Sequence, residues 1–157
     1  MTPAITALKR AKMAFEILEY QHDPNAPSYG EEAADALGLE PSQVFKTLLV
    51  TLVGHKSALA VAVVPVTHQL NLKLIARALG AKKAAMADAA IAEKTTGYVV
   101  GGISPVGQKK ALPTVIDASA ESLEQMHVSA GRRGLEIALA PQNLARMTRA
   151  TFFTIRD

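Results

Sequence analysis

The chain has 157 residues, 49% of them hydrophobic and 20% charged, a balance that suits one globular domain (residues 1–157) with a sizeable core. It contains no cysteine, which excludes disulfides, a zinc–thiolate centre and a protein thiol nucleophile, and fits a reducing compartment. Seventeen Lys and Arg against 14 Asp and Glu leave a net charge of +3, which permits a polyanionic partner without demanding one.

The first residues, Met1-Thr2-Pro3-Ala4-Ile5, lack the charged start and long apolar stretch of a signal peptide. No run approaches the roughly 18 apolar residues of a membrane span. The expectation is a cytoplasmic protein. Thr2-Pro3 reads as a helix start, threonine as cap and proline in the first turn, with Ile5, Leu8 and Met13 near helical spacing through a basic segment. Residues 15–20 read as a short strand, and residues 21–28, with Asp23-Pro24-Asn25-Ala26-Pro27, as a loop. Tyr29 to Leu37 alternates acids and alanines as an amphipathic helix that Gly38 stops.

The centre is rich in β-structure. Phe45 to Val53, a turn at residues 54–57 and residues 58–64 form a hairpin whose near-continuous apolar runs predict burial on both faces. Asn71 caps a helix over Leu72 to Leu79 that Gly80 ends. Residues 83–86 are ambiguous, and Ala87 or Asp88 opens a helix ending before Gly97. Further on come a strand at Thr114 to Asp117, a short helix at residues 118–124, and a hairpin of residues 126–130 and 135–140 around Gly131-Arg132-Arg133-Gly134. A helix at residues 141–146 and a last strand at residues 151–155 complete an α/β chain on one curved mixed sheet.

Between the helix before Gly97 and the strand at Thr114 lies Gly97-Tyr98-Val99-Val100-Gly101-Gly102-Ile103-Ser104-Pro105-Val106-Gly107. Four glycines and a proline exclude a helix or strand interior. Such a loop is either a surface connection or a place where bare backbone N–H groups approach a carbonyl oxygen or a phosphate. A second anchor is Val44-Phe45-Lys46-Thr47-Leu48-Leu49-Val50, where one lysine interrupts an apolar run. Lys46 either snorkels at the strand's edge or reaches a pocket and binds an anionic or carbonyl group, because an unpaired buried ammonium is costly.

Other chemistries find little support. The histidines, His22, His55, His68 and His127, are scattered without metal-ligand spacing, so no metal site is expected. Ser104 lies in Gly-Ile-Ser-Pro-Val, which is not a nucleophile elbow, and there is no phosphate-loop or dinucleotide fingerprint. Lys109-Lys110 and Arg132-Arg133 are basic pairs that either face solvent or line a path for a phosphate backbone.

Three motifs in order, Phe45-Lys46-Thr47-Leu48, then Thr96-Gly97-Tyr98-x-x-Gly101-Gly102-x-Ser104-Pro105-x-Gly107, then Val128-Ser129-x-Gly131-x-Arg133-Gly134, resemble the YbaK/EbsC family, free-standing relatives of the editing domain of bacterial prolyl-tRNA synthetase. The resemblance runs from the first helix to the last strand. It implies a barrel-like mixed sheet surrounded by helices, with a pocket between the glycine loop and the Lys46 strand. It implies removal of cysteine misattached to proline tRNA, acting in trans on the 3′ end of the aminoacyl-tRNA, with a transient complex with prolyl-tRNA synthetase and no DNA, membrane or cofactor. The expected catalytic groups are Lys46, Gly101 and Gly102, the glycine amides holding the developing oxyanion. Tyr20, Ser104 and Ser129 match family pocket positions. Tyr29 (where relatives carry phenylalanine), Thr47, Tyr98 and Pro105 complete the expected substrate-binding set. The nucleophile is an ordered water or the substrate's own thiol, and the resemblance favours the thiol. The alternatives are a deacylase for another small amino acid such as alanine, a non-catalytic tRNA or nucleotide binder, and a plain interaction domain.

Overall fold

The computed structural model describes residues 1–26 and 28–157; Pro27, part of the expected loop, lies outside them. Helix α1 (Pro3–Arg10) starts as its sequence dictates, the Thr2 hydroxyl accepting from the Ile5 N–H at 3.2 Å and proline standing where no intrahelical donor is needed. It buries Ala4, Ile5 and Leu8, while Met13 falls beyond its end. Strand β1 (Glu16–Glu19) and helix α2 (Tyr29–Leu37) follow, and Gly38 ends α2 at φ +65°, a conformation that glycine enters without a Cβ penalty. The hairpin β2 (Phe45–Val53) and β3 (Leu59–Pro65) then leads to α3 (Leu72–Leu79), capped by Asn71, whose Oδ1 accepts from the Leu74 N–H at 3.0 Å.

The ambiguous residues 83–86 form a strand, β4 (Lys83–Met86), and Asp88 caps α4 (Ala89–Thr96). After the glycine loop come β5 (Thr114–Asp117), a 3-10 turn over Ala118–Ser122, β6 (Met126–Arg132), β7 (Leu135–Leu139), α5 (Pro141–Thr148) and β8 (Thr151–Phe153). The last strand is shorter than expected. The buried Asp117 carboxylate accepts from the Ile155 and Arg156 N–H groups at 3.0 and 3.2 Å, which draws the chain out of the sheet after Phe153.

Among the described residues the expected single barrel-like sheet is two sheets, neither closed. One has the order β4-β2-β3-β5-β8, mixed because β5 runs parallel to both neighbours; the other is the antiparallel β1-β7-β6. A parallel bridge between Val44 and His127 joins them. The main core lies between the sheets, where Phe45, Leu49, Val61 and Val63 meet Val128, Ile137 and Leu139. The opposite face of β2 and β3, with Val50, Leu52, Ala60, Ala62 and Val64, packs on Ile75 and Ala76 of α3. Strand β3 is therefore buried on both faces, as its unbroken apolar run predicts.

The register of β2 prepares the site. The Leu52 N–H donates to the Ala58 carbonyl and the Val66 N–H to that of Val44, so the even-numbered residues of β2 bond to β3. Odd-numbered residues turn their N–H and C=O the other way, as the Ala87 N–H donating to Leu49 shows. Strand β4 pairs only with Val50 to Val53. The peptide of Thr47 thus faces a side of β2 that, among the described residues, carries no ladder partner.

Candidate active site

A cavity of about 440 Å³ opens along this uncovered stretch. Its floor is β2 from Phe45 to Leu49, one wall is Ser28, Tyr29 and Gly30 at the start of α2, a second is Met86 to Ala92 around the start of α4, and a third is Val100, Gly101 and Ile103. Ser129 of β6 and Glu136 of β7 close the back. Those two are paired across the β6–β7 ladder, so their side chains emerge on one face. Of the expected residues the structure brings together Tyr29, Lys46, Thr47, Gly101 and Ser129.

Lys46 is half-buried, and that burial lowers its ammonium pKa, partly opposed by the Glu31 carboxylate. The Thr47 hydroxyl is buried, and among the described residues it has no hydrogen-bond partner. Ser129 accepts from the Gly131 N–H at 3.1 Å, in a bulge where the ladder shifts register between Ser129 and Arg132.

Glu136 is the residue the sequence reading missed. It is 7% exposed, its Oε2 has no partner among the described residues, and burial pushes its carboxyl up to about 8. The signal was present: a single charge inside Leu135-Glu136-Ile137-Ala138-Leu139, the same interruption that marked Lys46. An acid whose folded pKa lies above its ordinary 4.5 keeps a proton that the unfolded chain releases. The pH-dependent part of its burial cost is therefore absent at low pH and increasingly destabilises the fold as pH rises from about 4.5 to about 8. Glu136→Gln, which cannot ionise, is expected to match the native chain near pH 4.5 and to exceed it by on the order of a few kcal/mol near pH 9. Denaturant melts at both pH values check this; a pH-independent difference would show that Glu136 is not held as a buried acid.

The glycine loop divides into wall and support. Gly101 takes φ +91° at the third position of a turn closed by the Gly102 N–H donating to the Val99 carbonyl at 2.8 Å. The Gly102 amide is thus occupied within the loop, and Gly102, unlike Gly101, is not among the residues that line the cavity. A Cβ on Gly102 would stand 2.7 Å from the Arg132 Cα, so this glycine serves close packing on the β6–β7 turn. Ser104 and Pro105 are buried behind the loop; the Ser104 hydroxyl accepts from the Val106 N–H at 3.2 Å. Tyr98 is in the core, donating to the Val106 carbonyl at 2.7 Å, its phenol pushed up to about 12 by burial against a smaller opposing bond from the Ala4 backbone. Tyr20 lies off the lining, its N–H donating to the Gly134 carbonyl at 3.0 Å. Burial raises its pKa, the Gly134 backbone opposes, and Glu136 and Glu32 raise it further.

The rim is braced from outside. The Arg133 guanidinium lies 4.2 Å over the Tyr29 ring and donates to the Val100 carbonyl through Nε at 3.2 Å and Nη2 at 2.6 Å. Tyr29 also meets the His22 ring at 5.8 Å, and His22 Nδ1 lies 2.7 Å from Glu32 Oε1. Among the described residues no group of three or more metal-ligating side chains comes together, and no helix is long and apolar enough to cross a membrane.

Known proteins resemble this sequence, and solved structures share this fold. The profile of the family described as "Aminoacyl-tRNA editing domain" matches residues 23–147. A protein of Enterococcus faecalis (strain ATCC 700802 / V583), named "Putative Cys-tRNA(Pro)/Cys-tRNA(Cys) deacylase EbsC", is 38% identical over 154 residues, covering 98% of this chain and 92% of that protein. A proline–tRNA ligase of Shouchella clausii (strain KSM-K16) is 31% identical over 121 residues, 77% of this chain but 20% of the ligase. A crystal structure of "a putative trans-editing enzyme for prolyl tRNA synthetase" superposes with a TM-score of 0.86 at 21% identity, covering 99% of this chain and 95% of that one, which shows the common fold. The matched span includes every cavity wall described above, and the chain belongs to the aminoacyl-tRNA editing domain family.

Proposed function

We propose that the protein is a trans-acting aminoacyl-tRNA deacylase that hydrolyses the ester of cysteine misattached to proline tRNA. The observation that carries this reading is the cavity itself: a small, mostly apolar chamber that brings a half-buried ammonium, Lys46, and an unpartnered acid, Glu136, beside an open glycine turn. Its volume suits an aminoacylated terminal nucleoside, within the ordinary range for small-molecule sites. The name of the EbsC relative points to the cysteinyl ester.

In this reading the ester carbonyl faces the Gly101 amide, and the Lys46 ammonium supports the charge that develops on its oxygen. The substrate thiol gives its proton to the Glu136 carboxylate, whose raised pKa matches it to proton exchange near neutrality. Sulfur attacks the carbonyl carbon, a four-membered thiolactone forms, the ester C–O bond breaks, and the ribose oxygen leaves with the proton from Glu136. Water then opens the thiolactone to free cysteine. Proximity must offset the strain of that ring. The Thr47 peptide and hydroxyl, with Ser129, hold the aminoacyl group along β2. The reading implies a cytoplasmic enzyme that meets its substrate after the synthetase releases it, in a transient complex or free.

A panel of proline tRNAs charged with cysteine, alanine, serine and proline tests it. The cysteinyl ester is expected to be cleaved fastest. Preference for alanine would reassign the substrate, binding without turnover would leave a tRNA-binding module, and absence of binding would leave an interaction domain.

A further inference from the structure

We propose that Arg133 is a phosphate-binding residue that takes the phosphate on the 5′ side of the substrate's terminal nucleotide, a use that rests on the deacylase reading. Arg133 stands in the tight turn between β6 and β7, exposed to solvent, outside the cavity but in contact with two of its wall residues, Tyr29 and Val100. Its place is therefore the rim. A nucleoside whose aminoacyl end is inside the cavity must carry its 5′ oxygen past that rim.

The guanidinium is held and yet has capacity left. Of its five N–H groups, those on Nε and one on Nη2 go to the Val100 carbonyl. The Nη1 pair and the second Nη2 hydrogen remain. A carbonyl and an aromatic ring do not neutralise a cation, and among the described residues the carboxylate pairs are His22–Glu32 and Arg156–Asp117, so Arg133 has no acidic partner. Val100 is itself held, because its N–H donates to Glu93 at 2.8 Å and the peptide that carries its carbonyl lies inside the turn closed by the Gly102 N–H and the Val99 carbonyl. The fork is thus pre-oriented by a ring on one face and a clamped peptide on its edge, so little side-chain freedom is lost when an anion docks. Bracing Tyr29 against Val100 uses two of the hydrogen bonds and the ring face. It makes no use of an exposed charge that has no carboxylate partner among the described residues, and a phosphate does.

The test separates bracing from binding. The probe is a hydrolysis-resistant amide, 3′-cysteinylamino-3′-deoxyadenosine, carrying either a 5′-phosphate or a 5′-hydroxyl, titrated against the native protein, Arg133→Gln and Arg133→Lys. The native protein is expected to bind the phosphorylated probe at least about tenfold more tightly, with the margin shrinking as salt rises. Arg133→Gln is expected to lose that margin while binding the hydroxyl probe within about twofold of native, and Arg133→Lys to keep part of it, since an ammonium retains the charge without the fork. Equal loss on both probes would show that Arg133 only braces the rim and would overturn the proposal. So would a native protein without phosphate preference, or a margin that survives Arg133→Gln. Thermal melts confirm that each variant is folded. Turnover does not enter, so a failed charged-tRNA panel alongside a native phosphate margin that Arg133→Gln removes would sink the deacylase reading and not the phosphate site.

Discussion

Lys46→Ala is expected to fold as the native chain does and to lose about 10²–10³ of its single-turnover deacylation rate, the usual consequence of removing one preorganised group from a developing oxyanion. Stability should not fall with activity. Lys46 shares a face of β2 with Leu48, Val50 and Leu52, and its half-buried ammonium is a cost that the apolar replacement removes. Lys46→Met, which keeps the length of the stem, should be equally slow and at least as stable. Lys46→Arg should also be impaired, because a planar fork cannot take the place of a compact ammonium in a chamber of this size. Single-turnover rates at saturating enzyme, with melting curves alongside, check all three. A folded Lys46→Ala that deacylates at the native rate would remove Lys46 from the site.

The second expected result concerns the nucleophile. The chain has no thiol, so sulfur chemistry can come only from the substrate, and blocking that sulfur leaves the enzyme untouched. Serine differs from cysteine at one atom, and its hydroxyl is a far weaker nucleophile than a thiol with a reference pKa near 8.5. Seryl-tRNA(Pro) and S-methylcysteinyl-tRNA(Pro) are therefore expected to bind but to be cleaved at least about a hundredfold more slowly than the cysteinyl ester. Single-turnover rates separate binding from chemistry. Equal rates for the cysteinyl and seryl esters would rule out thiol assistance and leave a water as the nucleophile.

The elements most legible in the sequence were those whose ends carry their own chemistry. Thr2-Pro3, Asn71 and Gly80 each set a boundary through a local hydrogen bond or a left-handed backbone, so neighbouring residues suffice to read them. The hairpin of β2 and β3 was equally plain from its apolar runs. The division into two sheets was not, because it depends on where β4 and β5 pair, a long-range choice that no local pattern encodes. At the site, Lys46 was found because a charge interrupts an apolar strand, and Glu136 would have been found by the same test. Gly101 and Gly102 look alike in sequence. Turn geometry separates them, giving one a place on the wall and the other a packing contact with Arg132. Ser104 and Tyr98 carry reactive-looking groups but satisfy them inside the loop's own scaffold.

The uncovered stretch of β2 has a consequence for what the protein admits. A bare strand edge is a template on which any extended chain can add itself, and such edges promote aggregation. Here the exposed register runs only from the Val44–His127 bridge to Leu49, whose carbonyl already accepts from Ala87. Four residues at about 3.3 Å each make an opening of about 13 Å, walled by the first residues of α2 and α4. A polypeptide strand cannot lie down in so short a gap, whereas a single amino acid at the end of a nucleic acid can. In the deacylase reading, the short pairing of β4 that leaves a peptide open would also act as a length filter, turning an edge of the kind that invites self-association into one suited to a chain terminus.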